Sequence, residues 1–397
     1  MKVKNSGGVT PGSVSFMNLM SESTHTVHQK NRRGALSIIC SVSHPDIEDF
    51  ISIKDIQGKI EFFDGFGEGK NNLYKLVEHA NISVILDQEF MNAVIENRDY
   101  VQKWPINSSN PKVTKTVRAK IIWNKLVEHA HKYAEPGILF MCNHESDDTL
   151  KHYNPAYGVN PCFEEIMGKY SNCNLGHMNL VKYIITDPLG NIVFNYDSFL
   201  KDIKVGVRFL DNVIDLNVGK HALPQQEEVA LNERRIGLGI TGLADCLIKM
   251  KIKYGSEESF DIIHKIMKSF RNSAIETSID LAKEKKKYPA FDKNIHSDSR
   301  YFKNWRVQSS NYYSNLFDEC GIRNSFISTV APVGTGSVIA QCFGSGIEPG
   351  FATSYTRRVR QNDGQSFKEF KVYPKLIKEL FDTDEKLPEY VITAHKI

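Results

Sequence analysis

Short apolar runs alternate along the chain with longer segments in which apolar residues recur at helical spacing. The runs at 37–42, 81–86, 138–141 and 325–330 predict buried strands. Strands that alternate with helices are typical of an α/β fold. Because no stretch between them has the composition of a linker, we expect a single core.

Helical signals occupy much of the remaining chain. Residues 47–54 begin with acidic residues, which favour a helix N-terminus, and residues 114–133 place Ile122 and Leu126 on one face. We expect residues 235–250 to be helical in spite of their glycines, and Ser256 to cap a long helix that ends in a run of lysines. The first thirty residues are rich in glycine, serine and threonine and predict a loop.

Composition changes this picture by excluding several classes of protein. With 50 Lys and Arg against 47 Asp and Glu, the net charge of +3 is too small for a protein that coats nucleic acid. No apolar run approaches the roughly 18 residues of a membrane helix, and the N-terminal residues do not resemble a signal peptide. Seven scattered cysteines, an odd number, favour reduced thiols. We therefore expect a cytoplasmic protein without nucleic-acid or membrane partners.

The sequence Asn-Pro-Cys-Phe-Glu at 160–164 is the most distinctive local feature. If this segment is extended, the side chains of Asn160, Cys162 and Glu164 point to one side. A carboxamide, a thiol and a carboxylate in one place are able to position a substrate hydroxyl, react with it and remove its proton. The alternative is a structural cysteine buried between two polar surface residues.

Cys173 follows Cys162 by eleven residues and would lie beside it if the chain between them forms a hairpin or loop. Cys142, His144, Cys162 and Cys173 would together offer zinc ligands, but the absence of a Cys-x-x-Cys pair argues against a metal site. We expect four further cysteines in apolar surroundings to be inert core thiols: Cys40, Cys246, Cys320 and Cys342.

A turn of small residues follows the strand predicted at 325–330. It consists of Ala331, Pro332, Val333, Gly334, Thr335, Gly336 and Ser337. Small residues let main-chain N–H groups face outward, and a helix N-terminus after them favours an anion. The alternative is an ordinary strand-to-helix turn. The segment 64–70 is one residue short of a Walker pattern and is interpreted as a loop without phosphate-binding function.

Taken together, these motifs resemble the catalytic subunit of ribonucleotide reductase. Asn-x-Cys-x-Glu, Cys-Asn-Leu-Gly, Ala-Pro-x-Gly-Thr and Gly-Ile-Glu-Pro occur here in the order in which that family has them. Pro161 and the Glu-Pro-Gly sequence at 135–137 are most similar to the adenosylcobalamin-dependent class II branch. Further matching segments extend over nearly the whole chain, at 14–17, 32–35, 44–48, 81–84, 236–239 and 355–358.

The resemblance implies a ten-stranded α/β barrel whose inner loop carries the reactive cysteine. By position, Cys162 would form a transient thiyl radical that takes the 3′ hydrogen of the ribose. Glu164 would act as base at the 3′-hydroxyl, and Asn160 would hold the sugar hydroxyl by hydrogen bonding. Cys173 would be one of two thiols that supply two electrons as the 2′-hydroxyl leaves as water.

The resemblance also assigns two binding segments and the partners that go with them. The turn 331–337 would hold the substrate phosphates. The loop that reports the bound effector to the active site would consist of Gln29, Lys30, Asn31, Arg32, Arg33, Gly34 and Ala35. The implied partners are a ribonucleotide substrate, a deoxynucleotide or ATP effector, and a second copy of the chain. The implied cofactor is adenosylcobalamin, and the alternative radical source is a separate metal-containing subunit.

Departures from the family pattern predict that residues 1–397 form a partial catalytic barrel domain. The family's first redox cysteine, its first strand, most of its first effector loop and its C-terminal barrel elements have no counterpart here. We therefore expect a central segment of a reductase that converts ribonucleotides to 2′-deoxyribonucleotides when complementary reductase fragments are supplied. The alternative is a non-catalytic module for nucleotide binding or assembly.

Overall fold

The computed structural model describes residues 12–27, 34–55, 77–360, 367–381 and 387–394. The chain divides into two compact units. The first comprises Met1–Asp148 and Ala156–Met167, and the second comprises Thr149–Pro155 and Gly168–Ile397. In the described segments, no helix combines the length and the hydropathy that a membrane span requires.

Helices and strands alternate in the first unit. Its helices are α1 (Ser13–Thr26), α2 (Ile47–Ser52), α3 (Gln88–Ile95), α4 (Ala119–Tyr133) and α5 (Met141–Glu145). Its strands are β1 (Ser37–Ser41), β2 (Asn81–Leu86), β3 (Asp99–Trp104), β4 (Val113–Arg118), β5 (Gly137–Phe140), β6 (Gly158–Val159) and β7 (Ile166–Met167).

Three parallel strands form the central sheet of the first unit, in the order β1-β2-β5. Successive residues of a strand face opposite sides, so Ile82, Val84 and Leu86 of β2 share one face. These side chains are fully or almost fully buried against apolar residues of α2, α3 and α4, which form one cluster with them. The helices therefore cover one face of the sheet, and Ile85 of β2 lies on the other.

Strands and helices also alternate in the second unit. Its helices are α6 (Tyr196–Leu216), α7 (Pro224–Glu233), α8 (Leu243–Lys249), α9 (Glu257–Lys285), α10 (Lys293–Asp298), α11 (Arg300–Arg306), α12 (Asn311–Cys320), α13 (Gly334–Ala340) and α14 (Lys375–Leu380), with a 3₁₀ turn at Leu180–Tyr183. Its strands are β8 (Asn174–Asn179), β9 (Ile184–Thr186), β10 (Ile192–Phe194), β11 (Ile236–Thr241), β12 (Tyr355–Arg360) and β13 (Phe367–Val372).

The core of the second unit lies between the parallel pair β8–β11 and the long helices α6 and α9. Phe199 and Val207 of α6 and Phe270 of α9 are among its buried residues. Ser256 caps α9 by accepting a hydrogen bond from the main-chain N–H of Ser259, as the sequence predicts. Each unit has its own large apolar cluster, whereas the sequence suggested a single core.

The predicted helix at 235–250 is wrong in its first half, which forms the buried strand β11. Its glycines allow neighbouring chains to approach closely. A β-carbon on Gly237 would lie 2.7 Å from Leu175 Cδ2, and one on Gly239 would lie 2.5 Å from the main-chain oxygen of Thr329. Glycine at these positions therefore lets neighbouring segments of the chain pack closely against β11. Sequence periodicity does not reveal this requirement.

Three other predicted boundaries are wrong. Residues 13–26 form helix α1 where a loop was expected. Residues 114–118 belong to strand β4, because a segment rich in β-branched residues pairs with β3 before the helix begins at Ala119. In the segment 325–330, Ser328 forms an isolated bridge with Leu238 instead of a full strand.

The α/β class is confirmed. The strands predicted at 37–42, 81–86 and 138–141 correspond to β1, β2 and β5, and α2 begins at the predicted residue. The largest sheet in the described residues has three strands, so the ten-stranded barrel stays a prediction.

Candidate active site

The motif Asn160 to Glu164 lies at the tip of a short hairpin in the first unit. Strands β6 and β7 are antiparallel, with Val159 opposite Ile166. The main-chain N–H of Asn160 donates to the carbonyl of Glu165 over 3.2 Å, which closes the hairpin below its tip. Cys162 therefore lies at the end of the two-stranded β6–β7 hairpin.

The tip is a tight turn, which corrects the assumption of an extended segment. The main-chain N–H of Phe163 donates to the carbonyl of Asn160 over 3.0 Å, and Phe163 has a φ of 69°. The side-chain Oδ1 of Asn160 accepts a hydrogen bond from the main-chain N–H of Glu165 over 3.0 Å. Because the chain reverses here, simple alternation does not place the side chains of residues 160, 162 and 164 on one side.

The hairpin packs on the sheet face that the helices leave open. Val159 forms a small apolar cluster with Leu139 and Met141, and Ile39 and Ile85 pack against it. Contact with β1 is close, since a β-carbon on Gly158 would lie 2.7 Å from Ile39 Cδ1. Apolar packing thus fixes the base of the hairpin on the sheet.

Two contacts fix the tip of the hairpin at the amino ends of β2 and β5. The side-chain Nδ2 of Asn81 donates to the main-chain carbonyl of Pro161. The ring of Phe163 lies over Gly137, where a β-carbon would stand 3.2 Å from Phe163 Cε2. The turn that carries Cys162 is therefore attached to strands that are distant in sequence.

The Cys162 side chain is exposed and carries a free thiol. Partial burial raises its pKa above the ordinary value of 9.0, and the negative charge of Glu164 raises it further. At neutral pH the group is therefore a protonated thiol, not a thiolate. A thiol that keeps its hydrogen suits hydrogen-atom transfer better than nucleophilic attack.

Cys173 lies in the second unit, immediately before β8. Its sulfur would be 3.0 Å from a β-carbon on Gly237 of β11, so the absence of a side chain there accommodates it. Cys173 also lines a cavity of about 240 Å³ together with polar side chains that include Asn172, His221 and Gln226. The cysteine is half-buried at the edge of a polar cavity.

The small-residue turn at 331–337 is also part of the second unit and leads into α13. The main-chain N–H of Val333 donates to the carbonyl of Ser345 over 2.6 Å. Gly334, Thr335 and Gly336 are exposed, whereas Ala331, Val333 and Ser337 are buried. The hydroxyl of Ser337 donates to the carbonyl of Gly334 over 2.8 Å. The expected strand-to-helix turn is present, although an extended segment with a single bridge takes the place of its strand.

A buried carboxylate of α8 holds the segment that follows α13. Asp245 is 2% exposed, and both of its oxygens accept the main-chain N–H of Phe343, over 2.8 and 2.9 Å. Burial raises the pKa of Asp245, although hydrogen bonds from Phe343 and Gly344 oppose that rise.

Several residues that the sequence singled out lie outside the described segments. These are Gln29 to Arg33 of the expected effector loop and the segment 64–70. Gly34 and Ala35, which end the effector loop, are exposed and precede β1. Within the described residues, no group of three or more His, Cys, Asp or Glu side chains is arranged to hold a metal ion.

Sequence reasoning missed the contacts that hold the tip of the hairpin. Asn81 and Gly137 are separated from the turn by 80 and 26 residues respectively, and neither carries a local motif for the contact it makes. The positive φ of Phe163 was equally hidden, because this conformation favours glycine over an aromatic residue. Asp245 gave no signal of its own within the helix predicted at 235–250.

The structure defines an α/β protein in which a two-stranded hairpin presents a protonated cysteine on the free face of a parallel sheet. The family model for the ribonucleotide reductase barrel domain matches residues 1–395, so the chain belongs to this family.

Similar proteins agree with this assignment. The chain is 30% identical to the vitamin B12-dependent ribonucleoside-diphosphate reductase of Thermoplasma acidophilum, over 100% of this chain and 48% of the relative. It is 32% identical to a reductase of the same name from Mycobacterium tuberculosis, over 90% of this chain and 45% of the relative. Identity is 23% to the ribonucleoside-diphosphate reductase subunit alpha of Chlamydia pneumoniae, over 84% of this chain and 34% of the relative. The chain thus spans about half the length of the first two relatives.

Proposed function

We propose that this chain is the central catalytic part of a ribonucleotide reductase, which reduces ribonucleotides to 2′-deoxyribonucleotides. The observation that carries the proposal is the Cys162 hairpin: an exposed, protonated thiol at a tip anchored to the sheet, with the charge of Glu164 acting on it. Membership of the reductase family supports the assignment.

Cys162, as a thiyl radical, would take the hydrogen from C3′ of the ribose and leave the radical on that carbon. This transfer is reversible because S–H and activated C–H bonds are similar in strength. Glu164 would accept the proton of the 3′-hydroxyl as general base. The amide nitrogen of Asn160 would donate to a sugar hydroxyl, since its Oδ1 already accepts the N–H of Glu165.

Removal of the 2′-hydroxyl requires two electrons, which a pair of thiols supplies by becoming a disulfide. Cys173 would be one member of that pair. Of the two hydrogens that the pair gives up, one leaves with the 2′-hydroxyl as water and the other replaces it at C2′. Cys162 would then return its hydrogen to C3′ and Glu164 its proton to the 3′-oxygen, so that the thiyl radical and the carboxylate would both be restored.

Substrate phosphates would bind at the turn 331–337, where Gly334, Thr335 and Gly336 are exposed. The segment 29–35 would connect a deoxynucleotide or ATP effector to the active site. Together with the parts that the longer relatives have outside the matched half, the α/β units would complete a ten-stranded barrel. We further propose that the enzyme is a cytoplasmic homodimer.

The radical source proposed here is adenosylcobalamin, because relatives with 30% and 32% identity are named vitamin B12-dependent. The position of Cys162 fits such a cofactor, since an exposed thiol at a hairpin tip is accessible to a bulky radical donor. When bound, the cofactor would supply the radical that removes the thiol hydrogen of Cys162. The alternative is a radical delivered by a separate metal-containing subunit.

Reduction of each ribonucleoside di- and triphosphate by the chain with adenosylcobalamin and a dithiol tests the proposal. The chain would be assayed alone and with complementary fragments from a longer relative. We expect little turnover by the chain alone and deoxyribonucleotide formation after complementation.

A second candidate function is nucleotide binding or assembly without catalysis, at the exposed residues Gly334, Thr335 and Gly336 of the small-residue turn. Nucleotide binding without reduction under every complementation would support this function and contradict the first.

A further inference from the structure

We propose that Asn81 is a positioning residue that fixes the orientation of the Cys162 turn through the main-chain carbonyl of Pro161. The inference rests on the proposed function, because it gives Asn81 a part in presenting the reactive thiol. It concerns a residue of β2 that lies outside the Asn-x-Cys-x-Glu motif.

Asn81 is itself held firmly at the amino end of β2. Its main-chain N–H donates to the carbonyl of Leu36 over 2.8 Å, and the residue pairs with Ser37 of β1. The next N–H along the chain, that of Ile82, donates to Glu135 Oε1 over 2.9 Å. The side-chain donor of Asn81 therefore starts from a main chain that is fixed on both sides.

An ion pair strengthens this support. Lys54 Nζ lies 2.9 Å from Glu135 Oε2, and it donates to the carbonyl of Ala80 over 2.7 Å. Both side chains are largely buried, so solvent screens the pair less than it would screen an exposed one. The residues that flank Asn81 are thus tied by charged groups to the segments that follow α2 and α4.

The acceptor of the Asn81 side chain belongs to the peptide group that joins Pro161 to Cys162. A peptide group is planar, so fixing its carbonyl also fixes the direction of the Cys162 main-chain nitrogen. The proline ring restricts φ on the other side of that carbonyl. One hydrogen bond from Asn81 therefore limits the rotation that would turn the cysteine side chain away.

The contact acts on the cysteine and not on the base of the hairpin. The base is fixed by the apolar cluster of Val159, Leu139 and Met141, which does not involve Asn81. Loss of the Asn81 donor is therefore expected to leave β6 and β7 on the sheet and to release only the tip.

The test replaces Asn81 with Asp, which has nearly the same volume but presents a carboxylate to the Pro161 carbonyl. Asn92→Asp is the matched control, since Asn92 is an exposed asparagine of α3 whose Oδ1 accepts from Gln88 and can still do so as Asp. Asn81→Gln, which keeps an amide donor on a longer chain, is the rescue variant.

The first measurement is the alkylation rate of Cys162, followed peptide by peptide with mass spectrometry on the chain itself. We expect Asn81→Asp to change this rate by about threefold or more, with partial recovery in Asn81→Gln and no change in Asn92→Asp. Cys40 reports the integrity of the sheet, because it lies in β1 and burial raises its pKa to about 12. An unchanged Cys162 rate, or a Cys40 rate that rises in parallel, would overturn the proposal.

The second measurement is turnover in the complemented enzyme. We expect Asn81→Asp to lower kcat by about tenfold with KM for the ribonucleotide within about twofold, because the thiol and not the binding of substrate is displaced. An increase in KM with unchanged kcat would contradict a positioning role. Alkylation needs no turnover, so the two proposals can be tested separately. A changed alkylation rate of Cys162 in a chain that never reduces nucleotides would support the positioning role of Asn81 and contradict the proposed function.

Discussion

The aromatic ring of Phe163 lies against the main chain of Gly137, so that a β-carbon on this glycine would stand 3.2 Å from Phe163 Cε2. This contact joins the residue next to Cys162 to the first residue of β5. It also holds an aromatic residue at a φ of 69°, a conformation in which side chains other than glycine are strained. The ring contact compensates for an unfavourable main-chain conformation.

Substitutions of Phe163 separate the effect of the ring contact with Gly137 from that of the strained φ. Phe163→Ala and Phe163→Gly both remove the ring, but only glycine relaxes the strained φ. We expect the glycine variant to be more stable than the alanine variant by about 1 kcal/mol, as measured by urea unfolding. Equal stability of the two variants would show that the main chain at residue 163 does not keep its positive φ.

Glu164→Gln is expected to lower the pKa of Cys162. The carboxylate charge disfavours the thiolate, so its removal stabilises the charged form of the thiol. At pH 8, below the pKa, the thiolate fraction and the alkylation rate of Cys162 should both rise. Glu128→Gln, on the exposed side of α4, is the control and should leave the rate unchanged. A slower rate in Glu164→Gln would contradict the assigned influence of Glu164.

Asp211 is expected to be essential for the stability of the second unit. Its side chain is fully buried, and Arg234 Nη2 and Arg323 Nε lie 2.8 and 3.3 Å from its Oδ1. Asp211→Ala leaves two guanidinium groups in the interior without this counter-charge, at a cost of about 3–5 kcal/mol in the free energy of unfolding. Glu284→Ala breaks the exposed pair with Arg208, which solvent screens, and should lower the free energy of unfolding far less. Similar losses of unfolding free energy in both variants would show that the buried ion pairs of Asp211 contribute no more to stability than the exposed pair.

The buried His296 is expected to make the second unit sensitive to acid. Burial lowers the pKa of His296 to about 3, so the folded protein holds a neutral imidazole that the unfolded chain protonates below a pH of about 6.5. Its contribution to stability is complete above that pH and falls by up to about 1.4 kcal/mol per unit as the pH approaches 3.

Thermal unfolding of His296→Phe between pH 7 and pH 4 measures this effect. The variant loses the contact with the Tyr288 hydroxyl, 3.2 Å from Nδ1, and should be less stable at pH 7. Its melting temperature should nevertheless fall less steeply with pH than that of the wild-type chain. His264→Phe, at an exposed position of α9, should keep the full slope. An unchanged slope in His296→Phe would assign the acid sensitivity to other groups.

Local sequence signals predicted the elements that depend on local patterns. The apolar run of β2 and the Ser256 cap of α9 follow from side-chain chemistry within a few residues, and the structure has both. The strand β11 was missed because Gly237 and Gly239 are required by chains that approach from elsewhere in the second unit. Periodicity carries no information about such close approaches.

The candidate site also combines features that the local sequence predicts with features that depend on distant residues. The order of the motifs along the chain singled out Cys162 and Glu164, and their joint role stays a prediction. The support of the turn by Asn81 could not be derived, because it depends on a contact between residues 80 positions apart. The sequence thus proposed the reacting groups, and the fold shows which contacts hold the turn that carries them.

The most direct test of the central claim is deoxyribonucleotide formation by the complemented enzyme with Cys162→Ser. A serine hydroxyl has a similar shape to the thiol, but its O–H bond is too strong to replace the thiol in reversible hydrogen transfer. Cys320→Ser, at a half-buried cysteine that ends α12, is the control and should retain turnover. The account predicts that Cys162→Ser forms no deoxyribonucleotide above background, and turnover at the control's rate would contradict it.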